Sequence, residues 1–82
     1  MKPAPTYEEF KESIWSRVLN HFKGFRDEAS LKKYLEHEAG DLSYSYNKAL
    51  KGYYDGKTTY EQFTVGIPAG IAYELEMCYE GD

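Results

Sequence analysis

Tyr44, Asn47, Lys48 and Lys51 pose the chemical question of this 82-residue chain, because their three- and four-residue spacing gathers them on one face of a helix. An aromatic, an amide and two cations together are recognition chemistry. Asn can read an adenine edge and Lys can meet guanine or phosphate, whereas Tyr buries ring area against a protein and keeps its hydroxyl wet. Residue sets for bond-making chemistry are sparser. His37 and Asp41 stand four apart with Glu36 and Glu38 beside them, which offers two metal ligands on one helical face and no complete set. The Glu-x-x-His pairs of di-iron bundles are absent, since Val18 and Tyr34 occupy the positions three before His21 and His37. Cys78, the one thiol, falls in an apolar stripe that predicts a buried, inert side chain rather than a nucleophile. The chain has no phosphate-cradling Gly-rich loop, no G-x-S-x-G and no HExxH. With no nucleophile, base and orienting group brought together, it reads as a non-enzyme with no catalytic residue, metal or cofactor.

Helices must position the recognition face, and their start and stop signals are explicit. Thr6 with Glu9 forms a capping box, and Tyr7, Phe10, Ile14, Val18 and Phe22 then recur every three or four residues until Gly24. A second helix starts near Asp27 or Ser30, shows Leu31, Tyr34 and Leu35, and meets Gly40 as a left-handed stop. A third starts at Asp41, Leu42 or Ser43, with Leu42, Tyr46, Ala49, Leu50 and Tyr53 as its stripe. One continuous helix over residues 31–55 is the alternative, since an interior Gly costs only about 1 kcal/mol. The last segment opens on overlapping boxes, Thr58 to Glu61 and Thr59 to Gln62, and carries Tyr60, Phe63, Ile67, Ile71, Leu75 and Cys78. Pro68 interrupts it. Proline lacks an amide and disfavours helical angles at Ile67, which predicts a kink or break there. Gly66, Ala69 and Gly70 make a side with little bulk, read as a tight helix crossing.

Length, charge and cysteine count bound the rest. Eighty-two residues form one domain with a marginal core, and nine Tyr, four Phe and Trp15 are the visible remedy. Residues 1–57 carry ten bases and nine acids, while residues 58–82 carry five acids and no base. A single Cys without a signal peptide fits a cytoplasmic setting, and residues 65–73 are too short to span a membrane. Residues 1–5 and 81–82 read as disordered ends.

Two resemblances follow from these residues. Ser30 to Leu35, Ala39-Gly40, and Leu42-Ser43 continuing to Gly52 resemble the helix-turn-helix of phage-repressor-type regulators, which implies residues 43–51 as a recognition helix. The chain differs from that pattern by Glu36 in place of a small residue and by the additional Asp41, and its net charge of −4 opposes phosphate binding. The order Gly56 to Thr59, Phe63, Gly66, Gly70 to Tyr73, Leu75 to Met77 and Tyr79-Glu80 resembles uncharacterised small helical accessory proteins of conjugative transposons and prophages in Gram-positive bacteria. That likeness implies a mobile-element accessory protein and transfers no catalytic residue.

The sequence therefore predicts a single all-α domain over residues 1–82, a small three- or four-helix bundle with its last helix kinked or broken near Pro68. Its expected core is Phe10, Ile14, Trp15, Val18, Phe22, Leu31, Leu35, Leu42, Tyr46, Leu50, Phe63, Ile67, Ile71 and Leu75. Its expected function is non-catalytic protein binding through Tyr44, Asn47, Lys48 and Lys51 to an unidentified protein partner. A DNA-binding regulator is the alternative, and neither a membrane nor a particular oligomeric state is implied.

Overall fold

The capping box at Thr6 starts the first helix as the sequence predicts: the Glu9 amide donates to the Thr6 hydroxyl at 3.1 Å and the Thr6 amide donates back to Glu9 at 2.8 Å. In the computed structural model, which describes residues 2–79, this is α1, Tyr7–His21. Gly24, at φ +86°, turns the chain where a side chain would be strained. Asp27 then caps α2, Glu28–Ala39, by accepting from the Ser30 amide at 3.0 Å. Gly40 and the residues after it separate α2 from α3, Ser43–Tyr54, so residues 31–55 form two helices. Gly40 itself is not left-handed, with φ −72° and ψ −29°. Glycine is needed there for space, because a Cβ would stand 2.3 Å from the Glu36 carbonyl oxygen.

The last segment holds the main departure from the sequence pattern. Thr59 and Gln62 form the capping box, with bonds of 2.8 and 3.0 Å, while the Thr58 amide instead donates to the Gly52 carbonyl. A π-turn at Gln62–Gly66 runs directly into α4, Ile67–Cys78. The interruption at Pro68 thus takes the form of a wide turn: the Ile67 amide donates to Gln62 five residues back, and Ile67 keeps helical angles of −66° and −48°. The extra residue in the turn relieves the clash between the proline ring and the carbonyl behind it.

That extra residue also shifts the phase of the buried stripe. A plain helix would carry the core from Phe63 to Ile67 and Ile71. The core instead runs from Phe63 to Pro68 and Ala72, one position later, and leaves Ile67, Ile71 and Leu75 half-buried. Cys78, expected inside, is exposed for the same reason. Trp15, Phe22, Tyr46 and Leu50 are likewise half-buried at the margin of the core, whereas Ala39, Ala49 and Tyr53 are inside.

The helices assemble around α1, whose broadest contact is with α4. Phe63 sits at the centre, with ring centroids 5.5–6.0 Å apart linking Phe10 to Tyr46 and to Phe63, and Phe63 to Tyr46 and Tyr53. Tyrosine hydroxyls tie the elements together at their edges. Tyr34 donates to the Leu75 carbonyl at 2.9 Å, Tyr7 accepts from the Leu42 amide at 3.0 Å, and the Trp15 indole donates to Ala39 at 3.1 Å. Residues 2–5, read from the sequence as a disordered end, are held along α3: Tyr46 donates to the Pro5 carbonyl at 2.6 Å and Tyr53 to that of Lys2. Proline-fixed backbone offers carbonyls that no helix uses, and the two phenols satisfy themselves on them. Met1 and residues 81–82 lie outside the described residues. The described residues contain no strand and no helix long and apolar enough to cross a membrane.

Candidate interaction surface

Asp41 stands two residues before the first residue of α3. Its carboxylate accepts from the Ser43 hydroxyl at 2.6 Å and from the Ser43 amide at 3.0 Å, and these two bonds hold its pKa below the usual 3.8. With Leu42, Ala49 and Tyr53 turned into the core, the opposite side of α3 faces water. Tyr44, Asn47, Lys48 and Lys51 are all exposed on it, as the sequence periodicity predicts. Lys51 pairs with Asp55 one turn on, at 3.0 Å. Among the described residues, Lys48 has no acidic partner within 4.0 Å.

Three of the four side chains border a groove between α3 and the last helix, about 580 Å³ in volume. Tyr44, Lys48 and Lys51 stand on its α3 side, Lys57 stands in the connecting loop, and Ile67 and Ile71 supply apolar floor. Asn47 lies outside it. The isoleucines are partly available because the π-turn moves them from the centre of the core to its edge. Gly52 lets the loop close against α3: its carbonyl accepts from the Lys57 amide at 2.8 Å and the Thr58 amide at 3.1 Å. A Cβ on Gly52 would stand 2.5 Å from the Thr58 hydroxyl oxygen. Tyr44 is 80 % exposed, unusual for so large a ring, and Tyr54 and Tyr73 are also open.

A second cluster carries cations that the sequence reading did not bring together. Arg17, Lys23 and Arg26 line a cavity of about 690 Å³ between α1 and α2, with Glu28 as its acid. The reversal of the chain at Gly24 creates it, and no periodicity marks it. Arg17 is placed by a helix, while Lys23 and Arg26 extend from the turn, where Arg26 lies 5.7 Å above the Tyr79 ring.

The remaining candidates stay apart. His21 approaches Glu76 at 3.5 Å and His37 approaches Glu38 at 3.6 Å, and among the described residues no three of His, Cys, Asp and Glu converge. Glu36 is exposed, and α2 and α3 touch each other little, each resting on other elements instead. Gly66 and Gly70 do not serve a tight crossing within the chain, since a Cβ on either would meet nothing within 4 Å. No protein-family model, no curated protein and no solved structure matches this chain.

Proposed function

We propose that this protein is a non-catalytic interaction module that binds a protein partner through the outer face of α3, formed by Tyr44, Asn47, Lys48 and Lys51. The single observation that carries this reading is the placement of Tyr44, 80 % exposed beside a groove floored by Ile67 and Ile71. An aromatic next to desolvated apolar surface is the usual make-up of an interface anchor, and lysines around it make a screened rim. Duplex DNA, whose outer surface is mostly phosphate, offers little to an apolar floor, and the chain's net charge of −4 opposes its binding. The resemblance to accessory proteins of mobile elements gives such a module a context, and the single cysteine fits a cytoplasmic setting.

The test places a photo-crosslinking side chain at Asn47 and compares capture with and without Tyr44→Ala. Tyr44→Ala should reduce capture by about tenfold or more, and the Lys48→Ala, Lys51→Ala double variant by only a few-fold. Titration with random duplex DNA at two salt concentrations is the counter-test. Tight binding that loses about one unit of salt slope per lysine removed would overturn the reading in favour of DNA.

A further inference from the structure

The last helix is apolar on the side turned away from the core as well as on the side turned toward it. From Gln62 to Tyr73 the sequence contains no charged residue. Val65, Tyr73 and Met77 are 47 %, 61 % and 69 % exposed, and Ile67 and Ile71 lie half-buried on the groove floor. Helical geometry sets Gly70 beside Met77 and puts Glu74 between them and the groove-side isoleucines, so the outside of α4 is a broad apolar surface that carries one acid. A helix with apolar surface this wide is ordinarily covered on more than one side. Here α1 covers one side.

Charge says what covers the other. Lys57 and Lys48 border the groove without an acidic partner within 4.0 Å among the described residues. Glu74 is exposed on α4 and makes no ion pair within that distance either. Lys57 and Glu74 stand apart along the helix. Lys57 sits at the Ile67 end of α4, where it shares a second recess with Gly66 and Ile67, and Glu74 is about two helical turns further on. One chain thus displays both halves of a complementary contact and leaves them unjoined.

We propose that the occupant of the groove is the last helix of a second copy of this chain, packed antiparallel against α4 over Ile67, Gly70 and Ile71. An antiparallel pair centred on Gly70 and Ile71 sets position 74 of each copy opposite position 67 of the other. Glu74 then comes beside the other copy's Lys57, and a two-fold axis makes the contact twice. The phase shift of the π-turn leaves the isoleucines at the edge of the core, packed against it on one side and open to the partner on the other. This inference rests on the reading of the α3 face and its groove as a contact surface, and it names the partner.

Sedimentation of the full chain from micromolar to near-millimolar concentration should show the monomer mass doubling. Gly70→Gln places a side chain where the monomer has open space and replaces a poor helix former. It should leave the melting temperature of the monomer unchanged or higher, while weakening association by about tenfold or more. Lys57→Glu should also weaken association, and adding Glu74→Lys to the same chain should restore it, a rescue that a general effect on folding would not produce. A wild-type chain that stays monomeric throughout overturns the proposal, as does undiminished pairing by folded Gly70→Gln or a charge swap no better than Lys57→Glu alone. If the chain is monomeric but Tyr44→Ala still abolishes cross-linking to another protein, the second copy is the wrong occupant and the surface stands. Failure of both overturns the surface itself.

Discussion

Asp41 and Tyr46 show how single side chains tie stability to pH in opposite directions. The Ser43 hydroxyl and then the Ser43 amide hold the Asp41 carboxyl below its usual 3.8, so its contribution is present above pH 3.8 and is lost as pH falls through the lower folded value. Asp41→Asn should keep much of the turn bonded to Ser43 and flatten the acid limb of a melting-temperature profile. Burial first, and then the nearby Tyr54 and Glu9, push the Tyr46 phenol above its usual 10.0. Folding therefore favours the neutral phenol, and this contribution is present below pH 10 and lost as pH rises through the folded value. Tyr46→Phe should remove that part of the alkaline loss of stability, while also losing the bond to Pro5. Gly40 is a third residue-scale test. A Cβ there would collide with the Glu36 carbonyl, so Gly40→Ala should destabilise even though alanine is the better helix former, by about 1–3 kcal/mol in a denaturant titration.

The π-turn is the decisive element. It carries the buried stripe from Phe63 to Pro68 and Ala72, so a charge at position 72 and a charge at position 71 should have very different costs. Ala72 is 1 % exposed, and Ala72→Glu should remove most of a total stability that for this length is about 4–12 kcal/mol. Ile71→Glu, on the groove floor, should cost about 1 kcal/mol in the monomer. The reverse ranking in urea titrations would mean that the helix runs through without the extra residue. The amino-terminal strap makes a second element-scale prediction. Deleting residues 1–5 removes the acceptors of the Tyr46 and Tyr53 hydroxyls and uncovers the side of α3 they lie on, and should lower stability by about 1–3 kcal/mol.

At the scale of the whole molecule, the fold is long for its size. The Cα radius of gyration is 13.3 Å and the extents are 42 × 19 × 18 Å, against about 11.7 Å for a compact domain of this length. The elongation follows from α1 and α4 lying along each other as a spine, with α2 and α3 placed on it rather than on one another. An elongated bundle exposes more surface per residue than a sphere, and here the excess is the outer side of α4. Small-angle scattering of monomeric Gly70→Gln should give a particle more extended than a compact domain of this length; a spherical scattering profile would contradict the spine. Of the five acids in residues 58–82, Glu74 and Glu76 lie on α4, so part of the charge asymmetry of the sequence becomes a spatial asymmetry between α4 and the lysines bordering the groove.

Local chemistry was enough to read the helices from the sequence. Thr6 with Glu9, Asp27, and Thr59 with Gln62 each satisfy backbone amides within three residues, so their caps depend on nothing distant. The exposed face of α3 was legible for a similar reason, since helical periodicity alone puts Tyr44, Asn47, Lys48 and Lys51 opposite Ala49 and Tyr53. How α2 and α3 pack, by contrast, is not a local property, and they touch each other little. The tertiary structure alone decided which side of α4 is buried. A one-residue π-turn changes every position beyond it, yet its cost is repaid by packing Pro68 and Ala72 against α1, which no window of neighbouring residues contains. The groove arises from the same cause, because Ile67 and Ile71 become its floor only when the helix on which they lie is rotated by its contact with α1.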